Sequence, residues 1–484
     1  MTTPPHAYPT SPSPANGPST DTTARIAARL DRIPPNRFHL RLAALLGTGT
    51  FFDGFNAISI AVVLTAIITT LHLSLSTASL IISAGYLGQF TGALIIGALS
   101  EHLGRRPTFA LCLISFGLLS VLAALSWNAT SLLTFRLLQG IGLGAEVPLA
   151  ATLMNEYLGT HTRGRIGTLY QSLFGWGLLF PPLIALLLTN TLGPHTAWRY
   201  LFAIGAIPVL VGLYAWFRLP ESARWLAAHG HTEQADALVT RVETAAHRHG
   251  DTLTEPEPEP ATRPTGSHPT VTRQDFHPSE ILHGLYRNRT LMLWAAWFLA
   301  SFVNYGCTVW LPTLYIRLGG ASPRASLLLT ALAGAISVAC ALVGASLIDR
   351  IGRRRLLIAS FAIMLLGGAV GALGVGVFAL PTLPVLIVAG AIIAAGAPLA
   401  LAPLWIYTPE LYPTRMRSWA TSVASSMNRA ASIASPLIIG AVLAADGGVS
   451  AIFSIMLGCA ALGVIIMVTM GVETRARSLE DIAP

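Results

Sequence analysis

The sequence contains no lysine and few charged residues, and these absences narrow the class of protein to which it can belong. All 30 basic residues are arginine, and charged residues occupy only 11% of the 484 positions, whereas soluble domains carry roughly 25%. Hydrophobic residues reach 53%, and the mean hydropathy is +0.62. These values indicate an integral membrane protein. A nucleic-acid partner is excluded because no basic face on a soluble module is present.

Cysteine and histidine are sparse and show no ligand pattern. The four cysteines, Cys112, Cys307, Cys340 and Cys459, all fall within apolar runs. Neither a disulfide framework nor a zinc site is expected from such positions. The loop histidines lack ligand spacing, and no arrangement of a nucleophile with a base occurs. We therefore expect no enzyme activity, no metal and no cofactor.

A short basic loop occurs twice, about half a chain length apart. The segments 101–106 (EHLGRR) and 349–354 (DRIGRR) place an acid, a glycine and an arginine pair at the same spacing. Two further sets recur in the same order at nearly the same offset: Glu156 with Arg163 and Glu410 with Arg417, then Glu221 and Glu473. Three matching sets predict two homologous halves.

Apolar runs fall into two groups of six, and each run is long enough to cross a hydrocarbon core of ~30 Å. The sequence predicts an all-α membrane protein with about twelve transmembrane helices in two six-helix pseudo-symmetric bundles. Arginine is concentrated in alternate connections, so both termini are expected in the cytoplasm. The predicted regions are a tail over 1–37, bundles over 38–218 and 290–471, a cytoplasmic linker over 219–289 and a tail over 472–484.

The first residues are polar and form no membrane span. Residues 1 to about 22 are rich in Pro, Ser and Thr, which is typical of a disordered tail and unlike a signal peptide. Residues 23–34 place apolar residues and arginine at helical spacing. Two interpretations stay open for this segment: a short amphipathic helix on the inner membrane surface, or a solvated lead-in.

Several motifs together resemble the major facilitator superfamily over nearly the whole membrane portion. They are the repeated loop, RLLQGIGLG at 136–144, PESARWL at 220–226 and PELYPTRMR at 409–417. The phrases FFDGFN at 51–56, GLGAEVP at 142–148 and YGCTVWLP at 305–312 resemble the bacterial metabolite:proton symporters that include aromatic-acid carriers and niacin permeases. The resemblance implies alternating access and proton-coupled symport of a small organic metabolite, above all an aromatic or heteroaromatic carboxylate.

Three charged residues in the apolar runs are candidates for proton coupling. Asp53 lies near the middle of the first run, where a charge is costly unless it is paired or faces water; a fixed ion pair is the structural alternative. Arg136, in the fourth run, is the expected partner of Asp53, as the resemblance implies. Glu146 lies ten residues later on another helix face, either as a second proton site or as a bridge to a neighbouring helix.

Asn56 marks a departure from the aromatic-acid branch, whose first helix usually carries a second acid there. The resemblance links an asparagine at this place to facilitative sugar carriers, and an acid there to bacterial sugar symporters. Asp53 is one helical turn away, near the same face, and is expected to take over proton coupling. Whether the carrier is coupled or facilitative therefore depends on Asp53.

Arg429 interrupts the eleventh run, without an acidic residue nearby in the second-half spans. A substrate carboxylate would satisfy it through two hydrogen bonds, and the resemblance implies this role; structural pairing is the alternative. Aromatic side chains facing a cavity can stack on a planar substrate, although most serve packing. The predicted substrate-binding set is Asn56, Trp176, Tyr305, Trp310, Asn428 and Arg429.

The repeated loops are predicted to act as a conformational latch. The resemblance implies that acid–arginine pairs hold the halves closed on the cytoplasmic side and break when the carrier faces inward. Simple topology signalling is the alternative. The predicted latch residues are Glu101, Arg105, Glu156, Arg163, Asp349, Arg353, Glu410 and Arg417.

The expected partners are a small solute, protons and the lipid bilayer, and the expected place is the bacterial cytoplasmic membrane, as a monomer. A sugar or polyol carrier and a proton-driven exporter are the rival functions. A membrane sensor that binds solute without moving it belongs to a different class. A sensor would be favoured by a large folded soluble domain, and the sequence shows only a linker.

Overall fold

The computed structural model describes residues 25–26, 28–30, 32–34, 36–157, 163–247 and 278–475, and these residues form helices and no strand. The first half contains α1 (Arg37–Leu71), α2 (Leu75–Leu103), α3 (Arg105–Ala124), α4 (Ala129–Gly144), α5 (Glu146–Tyr157), α6 (Arg163–Leu192), α7 (Pro194–Ile204) and α8 (Ile207–Arg218). Two connecting helices follow, α9 (Ala223–Ala228) and α10 (Thr232–His247). The second half begins with a 3₁₀ turn (Pro278–Leu282) and contains α11 (Gly284–Arg317), α12 (Pro323–Ile351), α13 (Arg353–Gly376), α14 (Thr382–Glu410), α15 (Thr414–Ala444) and α16 (Val449–Met470).

Twelve helical spans in the described ranges are long and apolar enough to cross a membrane. One span combines α4 with α5, and another combines α7 with α8. Large apolar side chains on the outer surface, such as Leu187, Leu210 and Phe217, are 63–76% exposed, as expected for contact with lipid tails. The prediction of an all-α membrane protein with about twelve transmembrane helices is confirmed.

Polar residues cap the N-termini of several long apolar helices. Asn36 accepts hydrogen bonds from the backbone N–H groups of Phe38 and His39 at the start of α1. Asn128 does the same for Ser131 in α4, and Ser322 for Ala325 in α12. These bonds satisfy N–H groups that a helix leaves unpaired at its first turn, and they limit where each span starts.

Within the described residues, three helix pairs account for the most extensive contacts between the two halves. These are α1 with α11, α2 with α15, and α6 with α12. Each pair joins one helix of the first half to one helix of the second, so the space between the halves is bounded by both. A cavity at this boundary can therefore present side chains from both halves.

The glycine of each repeated loop turns the chain from one span into the next. Gly104 and Gly352 have φ angles of 97° and 96°, in a region that glycine adopts without strain. A glutamate then caps the following helix from a distance. Glu221 accepts from the backbone N–H of Arg105 at 2.9 Å, and Glu473 accepts from that of Arg353 at 3.0 Å. A carboxylate at a helix N-terminus also complements the helix dipole.

An arginine of each repeated loop forms an ion pair inside its own half. Arg105 Nε lies 3.9 Å from Glu156 Oε1, and Arg353 Nη2 lies 3.1 Å from Glu410 Oε1. The three repeated sequence elements therefore assemble into one cluster per half. We call these the corner clusters: Arg105, Glu156 and Glu221 in the first half, and Arg353, Glu410 and Glu473 in the second.

The segment before α1 packs on protein. Ile26, Leu30 and Ile33 are at most 2% exposed and belong to one apolar cluster with Val239 and Val242 of α10. This apolar face is covered, so both suggested positions, on the membrane surface or free in solvent, are wrong for these residues. Their helical periodicity reflects docking on α10.

Arginines on the docked segment form ion pairs with acidic residues on α10. Arg29 Nη2 lies 2.6 Å from Glu243 Oε2, and Arg32 Nη2 lies 2.6 Å from Glu243 Oε1. Arg29 Nη1 also reaches Asp236 at 2.5 Å. Glu243 is the shared acceptor for both arginines, so it is the residue on which this contact depends.

We expect Glu243→Gln to loosen the docked segment, because the substitution removes the charged acceptor of both arginines. The docking equilibrium should weaken by about 1–2 kcal/mol, or roughly tenfold. Amide hydrogen exchange over residues 28–34 measures the change. The control is Glu233→Gln, which removes an exposed acid from the same helix. Equal loosening by both variants would mean that net charge alone holds the segment.

The docking should also weaken in acid. Burial alone would raise the pKa of Glu243, but the hydrogen bonds and charges of Arg29 and Arg32 outweigh it and hold this pKa below its ordinary value of 4.5. Such a group stabilises the docked form above its ordinary pKa, and the contribution is lost as the pH falls through the lowered pKa. Exchange protection of residues 28–34, corrected for intrinsic rates, should fall in that acidic range. Protection that stays constant there would contradict this account.

Candidate solute-binding cavity

A cavity of about 300 Å³ lies between the two halves. It starts near the middle of the spans, at Asp53, Tyr305 and Arg429, and reaches Ala345 and Trp405 near the ends of α12 and α14. Those helix ends lie on the side of the protein that carries the arginine-rich repeated loops, which we call the basic side. The cavity therefore extends from mid-depth toward the basic side.

The halves touch each other on the opposite side. Ser83 Oγ on α2 donates to the backbone carbonyl of Ile433 on α15 at 3.0 Å. Farther along the same helix pair, Gly440 packs so closely on Ser79 that a Cβ at this position would overlap the serine hydroxyl. These contacts close the bundle on the side opposite the basic side. The cavity is therefore accessible from the basic side in this conformation.

Asp53 and Arg429 both line the cavity and are linked through Gln89. The Gln89 side-chain amide donates from Nε2 to Asp53 Oδ1 at 3.3 Å. Its Oε1 accepts a hydrogen bond from Arg429 Nη1. Asp53 is only 6% exposed and Gln89 only 3%. An acid of the first half and a cation of the second are thus joined through one neutral amide.

The expected pairing of Asp53 with Arg136 is wrong in this conformation. Arg136 Nη1 donates to Asn56 Oδ1 at 2.6 Å and to Gln139 Oε1 at 2.8 Å. Gln139 in turn donates to Ser120 Oγ at 2.6 Å. The Nη1 atom of Arg136 is therefore bonded to neutral oxygens, whereas its buried Nε has no hydrogen-bond partner among the described residues. Asp53 takes part in none of the ion pairs that the described residues form.

Asn56 was predicted to bind substrate, and the structure gives it a different partner. Its side chain is 8% exposed and accepts the hydrogen bond from Arg136. It is absent from the cavity lining, whereas Asp53, one turn away, is present. The two polar residues of the first helix therefore serve different neighbours, α4 and α2.

Glu146 lies outside the cavity lining, against the first helix. It is fully buried, and neither carboxyl oxygen has a hydrogen-bond partner among the described residues. A Cβ at Gly49 of α1 would overlap its Oε1 atom. Two roles were open for Glu146 from the sequence: a second proton site or a bridge to a neighbouring helix. In the structure Glu146 contacts the neighbouring helix α1 and does not line the cavity. An ionised carboxylate at this place would have no charge partner.

The predicted aromatic and polar substrate residues separate into two groups. Tyr305 and Asn428 line the cavity, and Asn428 Oδ1 has no hydrogen-bond partner among the described residues. Trp310 is fully buried and donates from Nε1 to the Pro436 carbonyl at 3.3 Å, so it packs away from the cavity. Trp176 is 42% exposed and is also absent from the lining. Trp176 and Trp310 therefore do not line the cavity in this conformation, and their role in substrate binding stays a prediction.

Aromatic side chains that the prediction did not include also reach the cavity. Tyr86 meets Tyr305 edge-on, with ring centroids 5.1 Å apart. Trp297 and Trp405 form a second edge-on pair with centroids 4.9 Å apart. Phe174 of α6 completes this set of apolar walls. The cavity thus combines aromatic surfaces from both halves with one cation and one acid.

Among the predicted latch residues, Arg105, Glu156, Arg353 and Glu410 lie in the corner clusters described above. Arg417 donates from Nε to the Tyr412 carbonyl at 3.2 Å, within the second half. The side chains of Glu101, Arg163 and Asp349 lie outside the described part of the structure. The ion pairs Arg105–Glu156 and Arg353–Glu410 each join helices of one half, and the cavity is open on their side of the protein.

Sequence reasoning missed Gln89, Glu221 and Glu473 as functional or structural residues. Gln89 is an uncharged polar residue inside an apolar run, a signal that would have been visible. The two glutamates were recognised as a repeated pair, but without a role. Capping of a distant helix leaves no local pattern, because Glu221 is 116 residues from Arg105, whose backbone N–H group it accepts from.

Comparisons with known proteins agree with this architecture. A family model for sugar (and other) transporters matches residues 42–484. The chain is 29% identical over 469 residues to a niacin transporter, NiaP, of Acinetobacter baylyi, covering 94% of this chain and 99% of that protein. It is also 29% identical over 442 residues to a gallate transporter of Pseudomonas putida, covering 91% and 93% of the two chains.

A solved structure shares the fold. The xylose transporter XylE of E. coli, in a partially occluded inward-open conformation, superposes with a TM-score of 0.70. The match covers 92% of this chain and all of XylE at 19% identity. These relatives are transporters rather than enzymes. With twelve apolar spans and a family match over most of its length, the chain is a multi-pass membrane transporter that belongs to the sugar (and other) transporter family of the major facilitator superfamily.

Proposed function

We propose that this transporter carries a small aromatic or heteroaromatic carboxylate together with protons, by alternating access. The observation that carries the proposal is the placement of Arg429 in the cavity wall, beside aromatic side chains and linked to Asp53. The substrate class, the proton coupling and the conformational cycle are argued separately below.

Arg429 suits a carboxylate because its present acceptor is weaker than an anion. The guanidinium group donates to the neutral oxygen of Gln89, whereas hydrogen bonds to ionised carboxylates are roughly twice as strong as neutral ones. Asn428, the preceding residue, also lines the cavity and has an unsatisfied side-chain oxygen. A carboxylate on Arg429 would leave that oxygen free for a donor on the substrate.

Aromatic walls favour a flat substrate. Tyr86, Tyr305 and Phe174 surround the middle of the cavity, and Trp297 and Trp405 lie toward its opening. Ring pairs stabilise one another in edge-on and offset arrangements. The cavity volume of about 300 Å³ is at the lower end of ligand pockets, which favours a small molecule. The names of the niacin and gallate transporters denote aromatic acids, and this supports the same class here.

Asp53 is the proposed proton carrier. It lines the cavity, lies within the membrane-spanning part of α1, and interacts electrostatically with Arg429. Buried acids within transmembrane segments commonly mark ion or proton pathways. A substrate anion that occupies Arg429 would bind the cation that Gln89 links to Asp53. Proton binding and substrate binding would then favour one another.

The described shape supports alternating access. The cavity opens toward the basic side, and contacts between α2 and α15 close the other side. The positive-inside rule places the basic side, with both termini, in the cytoplasm of a bacterial cell. We propose that the corner clusters, with Glu101, Arg163, Asp349 and Arg417, hold the halves together on that side when the cavity opens outward. Independent bundles with a site between them are the usual arrangement for such a cycle.

A sugar or polyol carrier is the second candidate. The cavity also presents the neutral hydrogen-bonding side chains of Asn304, Thr308 and Ser337, which could contact hydroxyl groups. A thermal-shift screen of purified protein with nicotinate, benzoate, sugars and polyols separates the two candidates, because binding stabilises the folded protein by mass action. Stabilisation by sugars alone would contradict the carboxylate proposal.

We expect Arg429→Lys to weaken binding of nicotinate but not of nicotinamide. Lysine keeps the charge but lacks the planar fork that holds a carboxylate through two bonds. The loss should be about ten- to a hundredfold, as expected for one charge-assisted hydrogen bond. Titration calorimetry with both ligands measures the effect. Arg289→Lys is the matched control, because Arg289 is a buried arginine outside the cavity lining that donates to the Leu411 carbonyl. An equal loss for acid and amide would contradict anchoring by Arg429.

We expect Asp53→Asn to abolish accumulation while preserving exchange. In proteoliposomes with an acidic exterior, the wild type should concentrate nicotinate up to about tenfold per pH unit, the limit for one proton per solute. The variant should only equilibrate nicotinate, yet still exchange labelled for unlabelled solute. Asp446→Asn, two residues after α15 and outside the cavity lining, is the control. Accumulation by the Asp53 variant would place the proton site elsewhere, with Glu146 the next residue to substitute.

A further inference from the structure

We propose that Gln89 couples protonation of Asp53 to carboxylate binding at Arg429 by rotating its side-chain amide. This inference rests on the proposed function and adds a residue and a mechanism to it. With Asp53 ionised, the amide connects the acid to the arginine. With Asp53 protonated, the amide turns over, releases Arg429 and offers its N–H group to the substrate carboxylate.

The geometry leaves Gln89 as the direct connection between the two charges. Gln89 Nε2 donates to Asp53 Oδ1 at 3.3 Å, and Gln89 Oε1 accepts from Arg429 Nη1. Among the described residues, no other side chain hydrogen-bonds to both Asp53 and Arg429. Gln89 is 3% exposed, so water competes little for either bond. The link also crosses the molecule, from α2 of the first half to α15 of the second.

The chemistry of the three side chains permits one orientation while Asp53 is ionised. Arginine has donors only, an ionised carboxylate has acceptors only, and a glutamine amide has one end of each kind. The amide oxygen must therefore face Arg429, and the amide nitrogen must face Asp53. Reversing the amide would place donor against donor and acceptor against acceptor. The chain from Arg429 to Asp53 is thus fully matched in the unprotonated state.

Protonation changes that match. A proton taken from cavity water converts one Asp53 oxygen into an O–H donor, which needs an acceptor. A half-turn of the Gln89 amide brings its oxygen to that O–H group and its nitrogen toward Arg429. Arg429 and the amide N–H group then face the same space as donors. A substrate carboxylate placed there accepts from both, so no bond breaks other than hydrogen bonds.

The same cycle works in the reverse order. A carboxylate that binds Arg429 first displaces the Gln89 oxygen, which can then accept from a protonated Asp53. Proton binding and carboxylate binding therefore strengthen one another by equal factors, as linkage requires. Release of the proton restores the matched chain and expels the carboxylate. This order of events couples proton binding to carboxylate binding without direct contact between Asp53 and the substrate.

Other charged or titratable groups surround Asp53 without forming this connection. The groups that interact electrostatically with it, or with its neighbour Tyr86, lie on several elements: Arg429 on α15, Tyr86 on α2, Tyr305 on α11, Arg136 on α4, Glu146 on α5 and Tyr170 on α6. Direct attraction between Asp53 and Arg429 is the main competing explanation, because it would link proton and carboxylate binding through space. The decisive variant must remove the amide while leaving both charges in place.

Gln89→Met meets that condition, because methionine is unbranched and similar in length but has no amide. The experiment measures benzoate binding by titration calorimetry at about pH 8 and about pH 6, in buffers of different ionisation enthalpy, which reports proton uptake. Benzoate is used because it has one titrating group. In the wild type, affinity should rise with falling pH, by up to about tenfold per pH unit, with uptake of one proton. In Gln89→Met, benzoate should still bind Arg429, but without proton uptake. Its affinity should change by less than about twofold between the two pH values.

Ser83→Ala is the matched control. Ser83 also lies on α2 and also makes a hydrogen bond across the halves, to the Ile433 carbonyl, but no ionisable group takes part. This variant should keep wild-type proton uptake. Infrared difference spectra give an independent signal: benzoate should produce the carbonyl band of a protonated acid in wild type and Ser83→Ala, and not in Gln89→Met or Asp53→Asn.

The outcomes separate the inference from the proposed function. If the wild type binds benzoate with proton uptake and Gln89→Met retains that uptake, coupling runs directly between Asp53 and Arg429, and the role of Gln89 is wrong. If the wild type binds no aromatic carboxylate, or binds one without proton uptake, the proposed function itself fails. Gln89→Leu provides a second amide-free variant if Gln89→Met does not fold, and the same results are expected of it.

Discussion

Charged groups buried among apolar helices need hydrogen-bond partners, and this requirement shapes the centre of the protein. Arg136 donates from Nη1 to neutral oxygens of Asn56 and Gln139. Arg429 and Asp53 are satisfied through one amide. The first arrangement involves one half only and can persist while the halves move. The second crosses between the halves, so any relative movement of α2 and α15 must break or remake it. Position in the bundle, more than residue type, therefore distinguishes the surroundings of these two arginines.

The duplicated sequence produces two versions of one corner on the basic side. In each half, a glycine in the left-handed region turns the chain, a glutamate from beyond the last span caps the next helix, and an arginine pairs with a glutamate. These bonds connect distant segments of one half and none of them joins the two halves. Each bundle is therefore braced within itself on the side where the cavity opens.

The architecture could be predicted from sequence because it depends on properties that are local. Long apolar runs, arginine in alternate loops and repeated spacings predicted the helices and the duplication. Asp53 and Arg429 were identified because a charge inside an apolar run is visible without a structure. The partner of Arg136 could not be predicted in the same way, because pairing depends on how each helix is rotated about its axis. The same rotation turns Trp176 outward and Trp310 into the core, and both are aromatic residues in apolar runs whose sequence context looked equally suitable.

The distant caps on α3 and α13 also set an order for biosynthesis. Glu221 follows the sixth span of the first half, and Glu473 follows the sixth span of the second. As the ribosome releases the chain from its N-terminus, the start of α3 stays uncapped until all six spans of its half have emerged. The first bundle can then complete its corner before any helix of the second half exists. The second bundle repeats the same order, because Glu473 also follows the last span of its own half.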